Sequence, residues 1–220
     1  MCIRDRGSAT LYDINEDGTE DIIIGGRNHQ IKALDGKSGA LIWAYTYQYD
    51  KDPILKNAQF NFYNSILVSD QNQDNFPDLL TINGGNPAAQ SAEEEERQAG
   101  VLLLIDLKNG AILAADTMPD GKESYMSPIG FQQPTSEEFI IVFGTGGETI
   151  GGNLYVTTLA NLKQQKLKEA TIIASEDLHG FIAPPVLADI NEDGHLDIIA
   201  ISHSATVSYT HLTLPTTPYV

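Results

Sequence analysis

Cysteine is nearly absent: the only one, Cys2, sits in the N-terminal hexapeptide, so no disulfide framework can hold this fold together. Positive charge is scarce as well. Thirteen Lys and Arg stand against thirty Asp and Glu, a net charge of −17. A surface this acidic repels phosphate backbones and anionic lipid, which argues against nucleic-acid and membrane-surface roles. No stretch approaches the ~20 apolar residues of a spanning helix, which argues against membrane insertion. Catalytic signatures are missing too. His29, His179, His195 and His203 are isolated from one another, and no nucleophile elbow, HExxH or CxxC is present. Tryptophan occurs once, at Trp43.

The two ends lack any globular pattern. MCIRDR and the closing VSYTHLTLPTTPYV back-translate, over Met1–Asp5 and Val207–His211, to DNA strings that are reverse complements of each other. They resemble transposase-end adapter sequence, so residues 1–6 and 207–220 read as adapter-derived scars and 7–206 as the natural segment. About 200 residues suffice for one substantial core.

What is present is repetition. DINEDG is spelled at Asp13–Gly18 and again at Asp189–Gly194, each time followed three residues later by Asp, and Asp70-Gln-Asn72-Gln-Asp74-Asn75-Phe-Pro-Asp78 is a third copy. An apolar run follows every copy: DIIIGG, DLLTINGG and DIIAIS. A fourth, degenerate copy is expected with Gly130, Gln132, Pro134 and Glu138 in the ligand positions, before FIIVFGTGG. The units then start 57, 60 and 59 residues apart. They are placed near 8–57, 58–124, 125–178 and 179–206.

Each unit reads as short β-branched strands separated by Gly, Asn and Asp turns. In the first, strands are predicted at Ala9–Tyr12, Asp21–Gly25, Gln30–Leu34 and Ala40–Tyr47, with the turn Asp35–Gly39 before the last. Leu41, Trp43, Tyr45 and Tyr47 alternate and predict one apolar face. Asp106–Gly110 repeats the turn, and the polar stretch Asn86–Ala99 is an insertion that lengthens the second unit. Its Glu93–Glu96 run could attract cations or a basic partner, although such a run in an insertion is ordinarily solvated. Four strands per repeating unit predict an all-β fold, a partial β-propeller of about three and a half four-stranded blades of a longer ring.

DxNxDGxxD followed by an apolar strand resembles the calcium loop of FG-GAP and VCBS repeats, the blades of integrin-α-like propellers. Ala33-Leu-Asp35-Gly-Lys-Ser-Gly39-Ala-Leu-Ile-Trp43 resembles the blade motif of quinoprotein-dehydrogenase-like propellers, in which the Trp docks one blade on the next. These resemblances imply Ca2+ as the cofactor, with side-chain ligands at positions 1, 3, 5 and 9 and a backbone carbonyl at position 7. The implied ligand sets are Asp13, Asn15, Asp17, Thr19 and Asp21; Asp70, Asn72, Asp74, Phe76 and Asp78; and Asp189, Asn191, Asp193, His195 and Asp197. With one bidentate carboxylate and a water, each set reaches the six to eight oxygens calcium takes. Position 6 must turn sharply, and Gly18, Asn75 and Gly194 tolerate φ > 0. An EF-hand would need Glu at position 12, where Ile24, Thr81 and Ala200 stand instead. The competing reading is a set of Asx-rich turns without metal. The degenerate copy should hold none.

The expectation is a calcium-stabilised, secreted, periplasmic or cell-surface binding or scaffold module without evident catalysis. Its partners would be a protein or carbohydrate ligand and the remaining blades of the same chain. The alternatives are a fragment of a secreted propeller enzyme such as a polysaccharide lyase, or a structural spacer in a multidomain surface protein.

Overall fold

The computed structural model describes residues 8–26, 30–45, 51–86, 97–132, 138–192, 194 and 196–202. The two adapter-like ends, His29, Tyr47, most of the polar insertion with Glu93–Glu96, Pro134, Asp193, His195 and His203 lie outside these residues.

Apolar runs punctuated by Asx and Gly turns fold here into antiparallel meanders, each made of strands adjacent in sequence. The first sheet runs β1 (Thr10–Tyr12), β2 (Asp21–Gly26), β3 (Gln30–Leu34) and β4 (Leu41–Ala44) in that order. The second runs β5 (Ile66–Val68), β6 (Asp78–Asn83), β7 (Val101–Asp106) and β8 (Ile112–Thr117). The third runs β9 (Ile129–Gln132), β10 (Phe139–Gly144), β11 (Gly152–Thr158) and β12 (Thr171–Glu176). A two-stranded pair follows, β13 (Val186–Ala188) with β14 (Asp197–Ile199). The fold is all-β, and among the described residues no sheet closes on itself.

Two apolar layers hold the sheets together. Ile23, Ile31, Ala33 and Trp43 of the first sheet meet Leu79, Val101, Leu103 and Ile105 of the second. Leu80, Ile82, Leu102 and Leu104, on the other side of the second sheet, meet Ile141 and Phe143 of the third, and the same buried cluster takes in Val142 of the third sheet and Ile198 of the two-stranded pair. The middle sheet is therefore covered on both sides. This explains why β6 and β7 read as nearly unbroken apolar runs, with all their residues buried, where a half-solvated strand would alternate.

Three features differ from the sequence expectation. First, Leu41 does not share a face with Trp43 and Tyr45. The register slips between Ala33↔Trp43 and Leu34↔Leu41, and this bulge turns Leu41 outward, 59% exposed, while Trp43 and Tyr45 stay buried. The same kind of irregularity recurs between β7 and β8 and between β11 and β12. Second, Gly130 and Gln132 are not in a loop. They belong to β9, paired with Ile141 and Phe139, so this hairpin is shorter than the other three, whose strands end at Tyr12↔Asp21, Val68↔Asp78 and Ala188↔Asp197. Third, the third sheet carries a short helix, α1 (Leu159–Lys163), capped by the Thr158 hydroxyl accepting from the Asn161 N–H. Leu159 and Leu162, with Leu167 just beyond, add to the layer between the second and third sheets.

Candidate metal centre

The three acidic loops join the first and second strands of their units, and the register aligns them. In each, the position-9 aspartate opens the second strand with its side chain out of solvent: Asp21 and Asp78 are 0% exposed and Asp197 is 1% exposed. Each carboxylate accepts the backbone N–H of position 2, from Ile14 at 2.8 Å, Gln71 at 2.7 Å and Ile190 at 3.0 Å. These buried acids therefore staple their own loops.

Position 1 folds the loop from the opposite end. Asp13 accepts from the N–H groups of Asp17 and Gly18, Asp70 from those of Asn72, Gln73, Asp74 and Asn75, and Asp189 from Gly194. Position 3 accepts from position 5 at its amide oxygen, Asn15 from Asp17 N and Asn72 from Asp74 N. Position 5 accepts from position 7, Asp17 from Thr19 N and Asp74 from Phe76 N. The third loop is described at Asp189, Asn191, Gly194 and Asp197, while Asp193 and His195 lie outside the described residues.

The backbone repeats as faithfully as the side chains. Position 6 is left-handed in all three loops, at Gly18 (φ 84°), Asn75 (φ 69°) and Gly194 (φ 85°). Position 4 is left-handed too, at Glu16, Gln73 and Glu192. Glu and Gln are poor residues for that conformation, so their identity in the sequence gives no sign of it. Two left-handed residues per loop coil the backbone so that N–H groups and side-chain oxygens from alternating positions converge.

One acid in each of the first two units lies outside the loop pattern. Asp35 and Asp106, in the turns after the third strand, accept from the side-chain amides of Asn15 (2.6 Å) and Asn72 (3.1 Å). The repeated Asp-x-x-x-Gly turn was the available signal, but it lies fourteen or more residues beyond the loop it touches. Asp106 faces Asp78 directly across the β6–β7 ladder.

The second loop differs from the first at one atom. Asp21 Oδ1 accepts from Gly36 N at 2.9 Å, whereas Asp78 Oδ1 is buried and has no hydrogen-bond partner. Burial pushes the Asp78 carboxyl up to about 6; the Gln71 N–H opposes this, and the neighbouring carboxylates of Asp106, Asp74 and Asp70 add to it. Burial also works to raise Asp70, but the four backbone N–H groups it accepts hold it below the ordinary range. Asp35 is held low chiefly by the Ser38 hydroxyl and the Ser38 N–H.

Calcium chemistry fits this donor set. A buried carboxylate oxygen without a partner, beside further carboxylates and an amide oxygen, is what a hard cation satisfies. Asp70, Asn72, Asp74, Asp78 and the Phe76 carbonyl would hold it, and it would supply positive charge to a loop that has none of its own. Among the described residues, no group of three or more Asp, Glu, His or Cys is gathered closely enough to ligate an ion by those side chains alone. The expected set also draws on an asparagine and a backbone carbonyl. The degenerate copy brings neither Gly130 nor Gln132 into a comparable loop.

No family model matches this chain. No curated protein matches it either.

Proposed function

We propose that the chain is part of a calcium-stabilised β-propeller of the FG-GAP or VCBS type, serving as an extracellular binding or scaffold module. The observation that carries this reading is the threefold recurrence of one loop, with identical stapling by a buried position-9 aspartate and an orphaned carboxylate oxygen in the second copy. Successive four-stranded meanders packed face to face are blade-like. Trp43 supports the resemblance to quinoprotein-type blades, because from its own strand its indole reaches the turn of the next sheet. The first sheet's outward side supports a longer ring: Leu11, Ile22, Ile24 and Leu41 are exposed there, at the places where Leu67, Leu79, Thr81 and Ile112 stand in the second sheet.

The test is calcium titration of the metal-free protein by calorimetry, paired with melting curves. With affinities typical of extracellular modules, ~10⁻⁴ to 10⁻³ M, millimolar calcium stabilises by about 0.4 to 1.5 kcal/mol per site. Asp21→Ala, Asp78→Ala and Asp197→Ala each remove one site, and Glu138→Ala removes none. A melting temperature indifferent to calcium would sink the reading and leave three Asx-rich turns.

A further inference from the structure

We propose that the acidic loop of the second unit and the turn beneath Trp43 act as one coupled device, so that a divalent cation in that loop is sensed across the sheet-to-sheet interface by the indole. The inference rests on the calcium reading above and adds to it a communication route made of side chains already in contact.

The route starts at Asn72, which has two working ends. Its amide oxygen accepts Asp74 N inside the loop at 3.1 Å, and its amide nitrogen donates to Asp106 Oδ2 at 3.1 Å. Asp106 is 5% exposed and in turn organises the turn it begins. Its Oδ1 accepts Lys108 N at 2.7 Å, its Oδ2 accepts the Asn109 side-chain amide at 2.7 Å, and its carbonyl accepts Gly110 N at 2.9 Å. Trp43 of the first sheet meets that turn: its indole N–H donates to the Leu107 carbonyl at 2.7 Å. Its ring lies so close to Gly110 that a Cβ there would stand 2.7 Å from the ring atom Cε3.

A second strap runs beside the first. Phe76, at position 7 of the loop, packs edge-on against Tyr12 of the first sheet at 6.2 Å between centroids. The Lys108 ammonium, on the same turn, sits 4.4 Å from the Phe76 ring centre. Loop, turn and neighbouring sheet therefore share three side chains, and a movement of the loop reaches Trp43 through two paths.

Electrostatics supplies the drive. Asp70, Asp74, Asp78 and Asp106 crowd one region, and Asp78 Oδ1 is buried without a donor. Without a cation these carboxylates repel, and the repulsion bears on the Asn72–Asp106 contact that joins the loop to the turn. With one, Asp78 and the loop oxygens would hold the cation, its charge would offset the repulsion, and Asn72 would keep Asp106, and with it the seat of the indole, in place. The first unit has the same beginning, Asn15 to Asp35, but the route ends at Gly39, which has nothing within 4 Å of where a Cβ would be. Among the described residues, the second loop is the one whose turn meets an aromatic ring, and because Trp43 is the sole tryptophan, its emission follows that turn.

The experiment titrates calcium chloride into the metal-free full chain, following Trp43 emission and heat in parallel. Emission should change with the midpoint of the heat that Asp78→Ala removes, and it should keep changing in Asp21→Ala. Asp106→Ala removes the acceptor that the Asn72 amide holds and leaves all five loop ligands in place, so calcium heat should persist while the emission response is lost. This variant also covers the case in which Asp78→Ala fails to fold. Because coupling between sites is reciprocal, Trp43→Phe should weaken the second loop's affinity, toward the lower end of the roughly 5- to 150-fold range of such couplings. Heat that Asp78→Ala abolishes, with unchanged Trp43 emission, would overturn the coupling and leave the calcium reading standing. No heat in the parent would overturn both.

Discussion

At the residue scale, Asp78 concentrates the chemistry of the molecule. Its folded-state pKa of about 6 lies above the 3.8 ordinary for an aspartate, so between these values the folded protein holds a proton that the unfolded chain has released. The stability tied to that proton is complete at low pH and is lost as pH rises through about 6. Metal-free protein should therefore melt at lower temperature at pH 7.5 than at pH 5, an effect of about 1 kcal/mol, because roughly half of the loss has already occurred below pH 5. Asp78→Asn should flatten this limb, and calcium should restore the neutral-pH loss. A melting profile that rises from pH 5 to 7.5 in chelator would contradict this assignment. Asp70, held low, acts with the opposite sign and at lower pH: its contribution is present above its unfolded value and lost as pH falls through its depressed one. The acidic loops were legible in the sequence because Asp, Asn and Gly at fixed offsets carry both hydrogen-bonding chemistry and backbone preference. Asp106 was not, since a contact across a β ladder leaves no short-range pattern. Nor was the left-handed conformation at Gln73, because nothing about a glutamine announces it.

At the scale of the element, the Asp-x-x-x-Gly turn does two jobs that its two copies separate. Gly110 is left-handed (φ 76°) and lies against Trp43, whereas Gly39 is left-handed (φ 72°) and faces open space. Gly110→Ala should cost about 2 to 4 kcal/mol, combining the backbone penalty with a clash against the indole, and Gly39→Ala only the ~1 to 2 kcal/mol backbone part. Urea unfolding of the two variants, followed by circular dichroism, measures the difference; equal losses would mean that the Trp43 contact contributes nothing. Strand placement was largely readable, since β-branched runs bounded by Gly and Asx turns fix where strands begin. Facing was less so, because the single slipped residue between Leu34 and Leu41 reverses a side chain that simple alternation put inside. Helix α1 is one turn long, too short to leave a helical period.

At the scale of the whole molecule, the sheets are unequal. The second has both sides covered, while the first leaves Leu11, Ile22, Ile24 and Leu41 exposed across its four strands, and Val186 and Ile201 are exposed at the far end. Apolar surface of this extent drives association. Sedimentation velocity should show the chain self-associating at high concentration, and Ile24→Lys with Leu41→Lys should shift it toward monomer without lowering its melting temperature. A monomeric parent would mean that the outward side is not adhesive. The repeat period made the number and order of sheets legible, but their packing partners emerge only from which side of each strand is buried.

The middle sheet's double covering also shapes how such a molecule is assembled. Each described sheet is built of strands that follow one another along the chain, and the described interfaces join consecutive sheets, so order can spread outward from β6 and β7 one unit at a time. Growth by duplication suits this plan, because a new unit needs only one prepared neighbour. A unit without an acidic loop can still be held in line by the units on either side.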